Sequence, residues 1–183
     1  VHLLKGGDDV LRGDALTTLV DELVGTDDRS LVLDEFDLDL TTLGAAIDAA
    51  QTPPFLTDRR IVVVRRFGRF SKNDEVAGLL DYLADPLPSS VLVLVWEKAV
   101  NPTETGEPAA KTPRIPPNLT KAVTAAAGEV VDTDAPSGRG RAAWVAEQLQ
   151  DAGVDVDPKA RDRIVDVLGE DAGALIGLVE RLK

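Results

Sequence analysis

A short apolar run ending in two carboxylates, Leu31-Val32-Leu33-Asp34-Glu35, is the first place in this chain where residue types and spacing could do chemistry. A hydrophobic strand ending in Asp-Glu is the pattern that holds the magnesium ion of a bound nucleoside triphosphate. That chemistry also requires G-x-x-x-x-G-K-[ST], whose backbone amides cradle the phosphates while its lysine neutralises them. The first turn of the chain reads Gly6-Gly7-Asp8-Asp9-Val10-Leu11-Arg12-Gly13-Asp14 and has no Lys-Ser or Lys-Thr pair. Asp8 and Asp9 stand where a triphosphate would lie, and they would repel it while capping the helix that follows. The same turn lacks G-x-G-x-x-G, so a dinucleotide has no better support. The sequence predicts a degenerate nucleotide site and no cofactor.

Other reactive constellations fail on composition. Asp34, Asp37 and Asp39 resemble calcium ligands, but the loop lacks the glycine and distal glutamate of an EF-hand, and solvated turn carboxylates are the better reading. There is no cysteine and only one histidine, His2, so thiolate chemistry is excluded and structural zinc has no ligand set. A serine nucleophile would have to use His2, at the edge of a strand, as its base. Trp96 and Trp144 fall in a strand end and a helix, where aromatics fill core. With four Phe and one Tyr beside them there is no stacking platform for bases. No catalytic residue and no metal site are expected.

What remains is Thr52-Pro53-Pro54-Phe55-Leu56-Thr57-Asp58-Arg59-Arg60. Two prolines hold the chain extended, and two large apolar side chains follow them in a polar connection. Phe55 and Leu56 either tuck under a sheet edge or protrude as an anchor for a hydrophobic pocket. In the second case Arg59 and Arg60 would steer a partner toward them.

The elements that must position these residues follow from periodicity. Short, nearly continuous apolar runs at Val1–Leu4, Ser30–Leu33, Ile61–Val64, Val91–Val95 and Glu129–Val131 read as buried strands of a mostly parallel sheet. Helical spacing predicts helices over Val10–Val24, Leu43–Ala50, Val76–Ala84 and Leu119–Ala127, with Gly25 and Gly128 as left-handed stops. A Pro-rich stretch, Asn101–Pro117, is too long for an ordinary loop and predicts a mobile insertion. Residues 1–132 thus form an α/β domain. Residues 133–140 have linker composition, and 141–183 form a small helical domain with helices at Arg141–Asp151, Pro158–Leu168 and Ala172–Lys183. The absence of a stop signal at Lys183 predicts that the natural chain continues.

The formal charge of −12 is unevenly spread. Residues 1–50 carry twelve Asp or Glu against three basic residues, whereas residues 58–72 carry five Arg and one Lys against Asp58 alone. That basic island reads either as a face for an acidic partner or as a charged guard on a sheet edge. No apolar run approaches the roughly 20 residues of a membrane span, and no secretory signal is visible, so a cytoplasmic protein is expected.

Several stretches together resemble one family. They are Leu3-Leu4-Lys5-Gly6-Gly7-Asp8 with Leu11; Pro54-Phe55-Leu56-Thr57-Asp58-Arg59-Arg60-Ile61-Val62-Val63-Val64; and Leu83-Ala84-Asp85-Pro86-Leu87-Pro88 followed by Ser90-Val91-Leu92-Val93-Leu94. Trp144 with Leu149 and Gly153, and Leu168-Gly169-Glu170-Asp171 followed by Glu180-Arg181-Leu182, continue the pattern. In order and spacing these are similar to the delta subunit of the bacterial DNA polymerase III clamp loader.

The resemblance implies a P-loop NTPase or AAA+-like α/β domain followed by a helical lid, without the C-terminal collar domain that joins subunits into a pentamer. A monomeric or weakly associating chain is the corresponding expectation. It further implies a subunit with no working ATP site that binds the DNA polymerase III sliding clamp (the beta subunit) and promotes its opening for loading onto primed DNA. Phe55 and Leu56 match the family's clamp-binding pair. The other implied partners are the gamma/tau and delta prime subunits, with DNA touched indirectly or weakly. Two alternatives stay open: an active P-loop-type nucleotidase using Asp34 and Glu35, and an AAA+-like adaptor with other partners.

Overall fold

The computed structural model describes residues 1–97, 114–136, 138–168 and 172–182. Most of the Pro-rich stretch expected at 101–117 therefore lies outside the described residues. The chain runs β1 (His2–Lys5), α1 (Asp9–Val24), α2 (Arg29–Val32), β2 (Leu33–Asp37), α3 (Leu43–Gln51) and β3 (Arg60–Arg65). It continues through α4 (Ala77–Ala84), β4 (Ser90–Val95), α5 (Leu119–Ala125) and β5 (Glu129–Asp132) to three helices, α6 (Arg139–Asp151), α7 (Pro158–Leu168) and α8 (Ala172–Leu182). The strands form one sheet in the order β2-β3-β4-β1-β5, and every neighbouring pair is parallel.

The uninterrupted apolar runs of β3 and β4 are explained by burial on both faces of the sheet. Leu94 is in register with Leu3 on one side and Val64 on the other. With Val62 and Leu92 these residues meet Ala46 and Ala50 of α3, Leu79 and Leu83 of α4, and Leu119 and Val123 of α5. The alternate residues Leu4, Ile61, Val63, Val93 and Val95 meet Leu16, Val20 and Val24 of α1. Each large side chain withdrawn from water in this way contributes about 1.5–3 kcal/mol. Because all strands run one way, the first turn lies at the carboxyl rim of the sheet and the Pro-Pro loop before β3 at the opposite, amino rim.

The second strand differs from its sequence reading. Residues expected as strand Ser30–Leu33 form the helical turn α2, and β2 starts only at Leu33. The cause is local: Asp28 caps the turn, accepting hydrogen bonds from the Ser30 backbone amide and from its hydroxyl. The stop after α5 differs as well. Gly25 takes the expected positive φ of 57°, but at the end of α5 it is Ala127 that adopts φ 55°. Gly128 is required by close approach, since a Cβ there would come within 2.7 Å of the Val123 carbonyl oxygen. The helix expected from Val76 begins at Ala77, after a 3-10 turn over Asp74–Val76.

The three last helices build a core of their own from Val145, Leu149, Leu175 and Val179, with Trp144, Ile164 and Leu168 packed against it. Helix α8 also touches α1. Among the described residues, no helix is long and apolar enough to cross a membrane.

Candidate functional site

The loop between α3 and β3 presents the two apolar residues singled out above. Phe55 is 96% exposed and Leu56 74%, the largest exposed apolar pair adjacent in sequence among the described residues. The ends of the loop are fixed. Arg60 donates from Nη1 to the carbonyls of Ala49 (3.1 Å) and Thr52 (3.2 Å), and the Thr57 hydroxyl donates to the Arg59 carbonyl at 2.9 Å. The backbone amide of Arg60 enters the sheet by donating to the Ser89 carbonyl at 2.9 Å. Pro53 and Pro54 stiffen the approach, so the pair stands out from a pinned frame.

The first turn is filled by the chain's own groups. The Asp8 carboxylate accepts from the amides of Val10 (2.9 Å) and Leu11 (3.0 Å), and the Asp134 carboxylate accepts from the Gly7 amide. The backbone after β5 presses close here: Thr133 donates to the Lys5 carbonyl from its amide (2.7 Å) and its hydroxyl (3.0 Å), and a Cβ on Gly6 would collide with the Thr133 hydroxyl. Arg12, only 4% exposed, donates to the Gly6 carbonyl at 2.6 Å and pairs with Asp9. Carboxylates thus hold the Gly7, Val10 and Leu11 amides at the start of α1.

Asp34 and Glu35 are not brought to this turn. They lie within β2, the outer strand, with β3 and β4 between them and β1. Asp34 forms an ion pair with Arg60 at 3.1 Å, while Glu35 is exposed. Asp37 and Asp39, read as solvated turn carboxylates, are engaged in ion pairs instead. Arg66 meets Asp37 at 2.9 Å and Asp39 at 3.4 Å, and Arg69 meets Asp39 at 2.7 Å. Burial pushes the Asp37 carboxyl up, but the Asp39 amide and the Arg66 guanidinium together hold it below the usual carboxylate range.

The basic island is therefore largely neutralised from within. Arg59 meets Asp27 at 2.9 Å and Arg60 meets Asp34, so both expected steering charges already have partners. Sequence reasoning missed the centre of this network, Glu97. It is 8% exposed and accepts from Arg65 through Nε (2.9 Å) and Nη2 (3.0 Å) and from the Arg66 amide (3.0 Å). The hydrogen bond to Glu97 is also what raises the Arg65 pKa. The only sequence signal was a glutamate closing the apolar run from Val91 to Trp96.

A three-layer fold with an all-parallel sheet, a carboxylate-filled first turn and a trailing helical unit defines an α/β protein of known architecture. The solved structure of the Bacillus subtilis DNA clamp loader delta protein (YqeN) superposes with a TM-score of 0.68 at 18% identity, covering 98% of this chain and 51% of that one. At that identity the likeness is one of fold, and the chain spans about half the length of the protein it matches. A chain of the E. coli MS115-1 HORMA:CdnC:Trip13 complex gives a TM-score of 0.46 at 16% identity, covering 94% of this chain and 57% of that one, which is too low to support a conclusion. No curated protein matches. Residues 2–105, more than half of the chain, match the family model for DNA polymerase III, delta subunit, and the chain belongs to that family.

Proposed function

We propose that this chain acts in a clamp loader, binding the DNA polymerase III sliding clamp through Phe55 and Leu56 and promoting its opening for loading onto primed DNA. The observation that carries the reading is the exposure of these two residues, 96% and 74%, on a loop whose ends are held by hydrogen bonds. Exposed apolar anchors on a stiff frame lose little entropy on docking, so more of their burial energy appears as affinity. Opening requires only that the chain bind the open form of the clamp more tightly than the closed form.

In this reading the chain needs no nucleotide and performs no catalysis. Asp8 and Asp134 occupy the amides of the first turn, and the magnesium-type pair Asp34-Glu35 sits on an outer strand. ATP would act elsewhere, on neighbouring motor subunits; gamma/tau and delta prime would be partners, and DNA would be contacted indirectly or weakly. Arg59 and Arg60 add weak steering at best, because each shares its charge with a carboxylate. The cytoplasm, where replication proceeds, is the corresponding location.

The test is a binding titration of the purified chain with the sliding clamp of the same organism, with and without ATP. Saturable binding that is indifferent to ATP is expected. Absence of binding contradicts the clamp reading, and micromolar ATP binding contradicts the account of the first turn.

A further inference from the structure

We propose that Arg60 is a positioning residue for the anchor, closing the loop that carries Phe55 and Leu56 and holding the pair in its docking orientation. The proposal rests on the reading of that pair as the clamp anchor. Thr52 begins the loop and Arg60 ends it, and one guanidinium joins the two ends. Its Nη1 reaches the Thr52 carbonyl at 3.2 Å and the Ala49 carbonyl at 3.1 Å, while its Nε reaches Asp34 on β2 at 3.1 Å. The last turn of α3 carries no basic residue, so Arg60 also supplies the positive charge that its C-terminal carbonyls favour.

The geometry explains why an arginine is needed. Two carbonyl acceptors, at a helix end and a loop start, are met by one Nη1 of a guanidinium that also forms an ion pair with Asp34 on the neighbouring strand. A lysine ammonium carries the same charge on a flexible stem, without the planar group that holds the carbonyl contacts and the ion pair together. With its ends joined, the loop has fewer conformations to lose when Phe55 and Leu56 are buried against a partner. The role is distinct from steering. A steering charge acts on association and is screened by salt, whereas a residue that preorganises an anchor acts on dissociation.

The experiment compares wild type with Arg60→Lys in two measurements. In the free protein, backbone 15N order parameters of residues 55–58 are expected to fall from the rigid range near ~0.85 to below about 0.6 in the variant. With the purified sliding clamp as probe, the dissociation rate is expected to rise roughly five- to tenfold, the lower end of the ordering cost of two immobilised side chains. The association rate and its salt dependence should stay unchanged. Should Arg60→Lys fail to fold, Arg60→Gln, which keeps an amide donor, takes its place.

Unchanged order parameters overturn the proposal whatever the clamp does. A change confined to association rate and salt slope also overturns it and restores Arg60 as a steering charge. A lower melting temperature with both loop order and dissociation rate intact reduces Arg60 to a structural role and likewise overturns it. If Phe55→Ala/Leu56→Ala binds the clamp as wild type does, the anchor reading itself fails, while the order parameters still decide whether Arg60 closes the loop.

Discussion

Glu97 gathers the carboxyl ends of β3 and β4 into one network by accepting three hydrogen bonds from Arg65 and Arg66, with buried Arg12 3.9 Å away. A buried carboxylate of this kind is most costly when only one side of the pair is removed. Glu97→Ala is expected to destabilise the chain by about 3 kcal/mol, read as a shift of the urea midpoint at constant slope. A change under about 1 kcal/mol would mean that the network is loosely coupled to folding. Asp37 contributes differently, through pH. Its folded pKa is depressed below the unfolded value, so its stabilisation is fully present above about pH 4. That contribution is lost as pH falls through the folded value. Asp37→Asn should therefore lower the melting temperature near neutral pH and flatten its decline below about pH 4; an equally steep decline would place acid sensitivity elsewhere.

At the scale of elements, Gly128 is where α5 hands the chain to β5, and its amide donates to the Val123 carbonyl at 2.8 Å. A methyl group there would meet backbone at 2.6–2.7 Å, so Gly128→Ala should cost about 1–3 kcal/mol through a forced backbone shift. Thermal melting near the wild-type value would show that the turn can yield. What was legible in the sequence follows the same local logic. The strands β1, β3 and β4 and the long helix α1 could be read because apolar periodicity records which face is buried. Strand β2 was misplaced because the Asp28 cap turned apolar Leu31 and Val32 into a helical turn. The magnesium-like pair Asp34-Glu35 could not be dismissed on position, because strand order is set by crossovers and is invisible in a local motif. Glu97 was missed because its arginine partners lie 31–32 residues away. For Phe55 and Leu56 the sequence left burial and exposure open; only the surrounding fold decides whether such side chains have anything to tuck beneath.

At the scale of the whole molecule, the trio α6, α7 and α8 has a core of its own beside the two cores that flank the sheet. Thr133 and Asp134 are pinned to the first turn, whereas Gly140, expected in the linker, already lies in α6. A cavity of about 340 Å³ lies where Leu11 and Asp14 of α1 face Leu175, Ile176 and Val179 of α8. We propose that the boundary lies within 133–140 and that the helical unit, 141–183, moves against 1–132 as a body. Electron–electron distance distributions between one spin label on α4 and one on α7 should be broad, and a single narrow distance would contradict this. The anchor at the amino rim is tested by replacing Phe55 and Leu56 together by Ala and measuring stability and clamp affinity side by side. Both side chains are exposed, so the melting temperature should stay within a few degrees of wild type. Burial of the pair is worth about 3–6 kcal/mol, so the dissociation constant for the sliding clamp should rise by roughly two to four decades. An unfolded variant, or a folded one that binds the clamp with wild-type affinity, would contradict the assignment of Phe55 and Leu56 as the docking site.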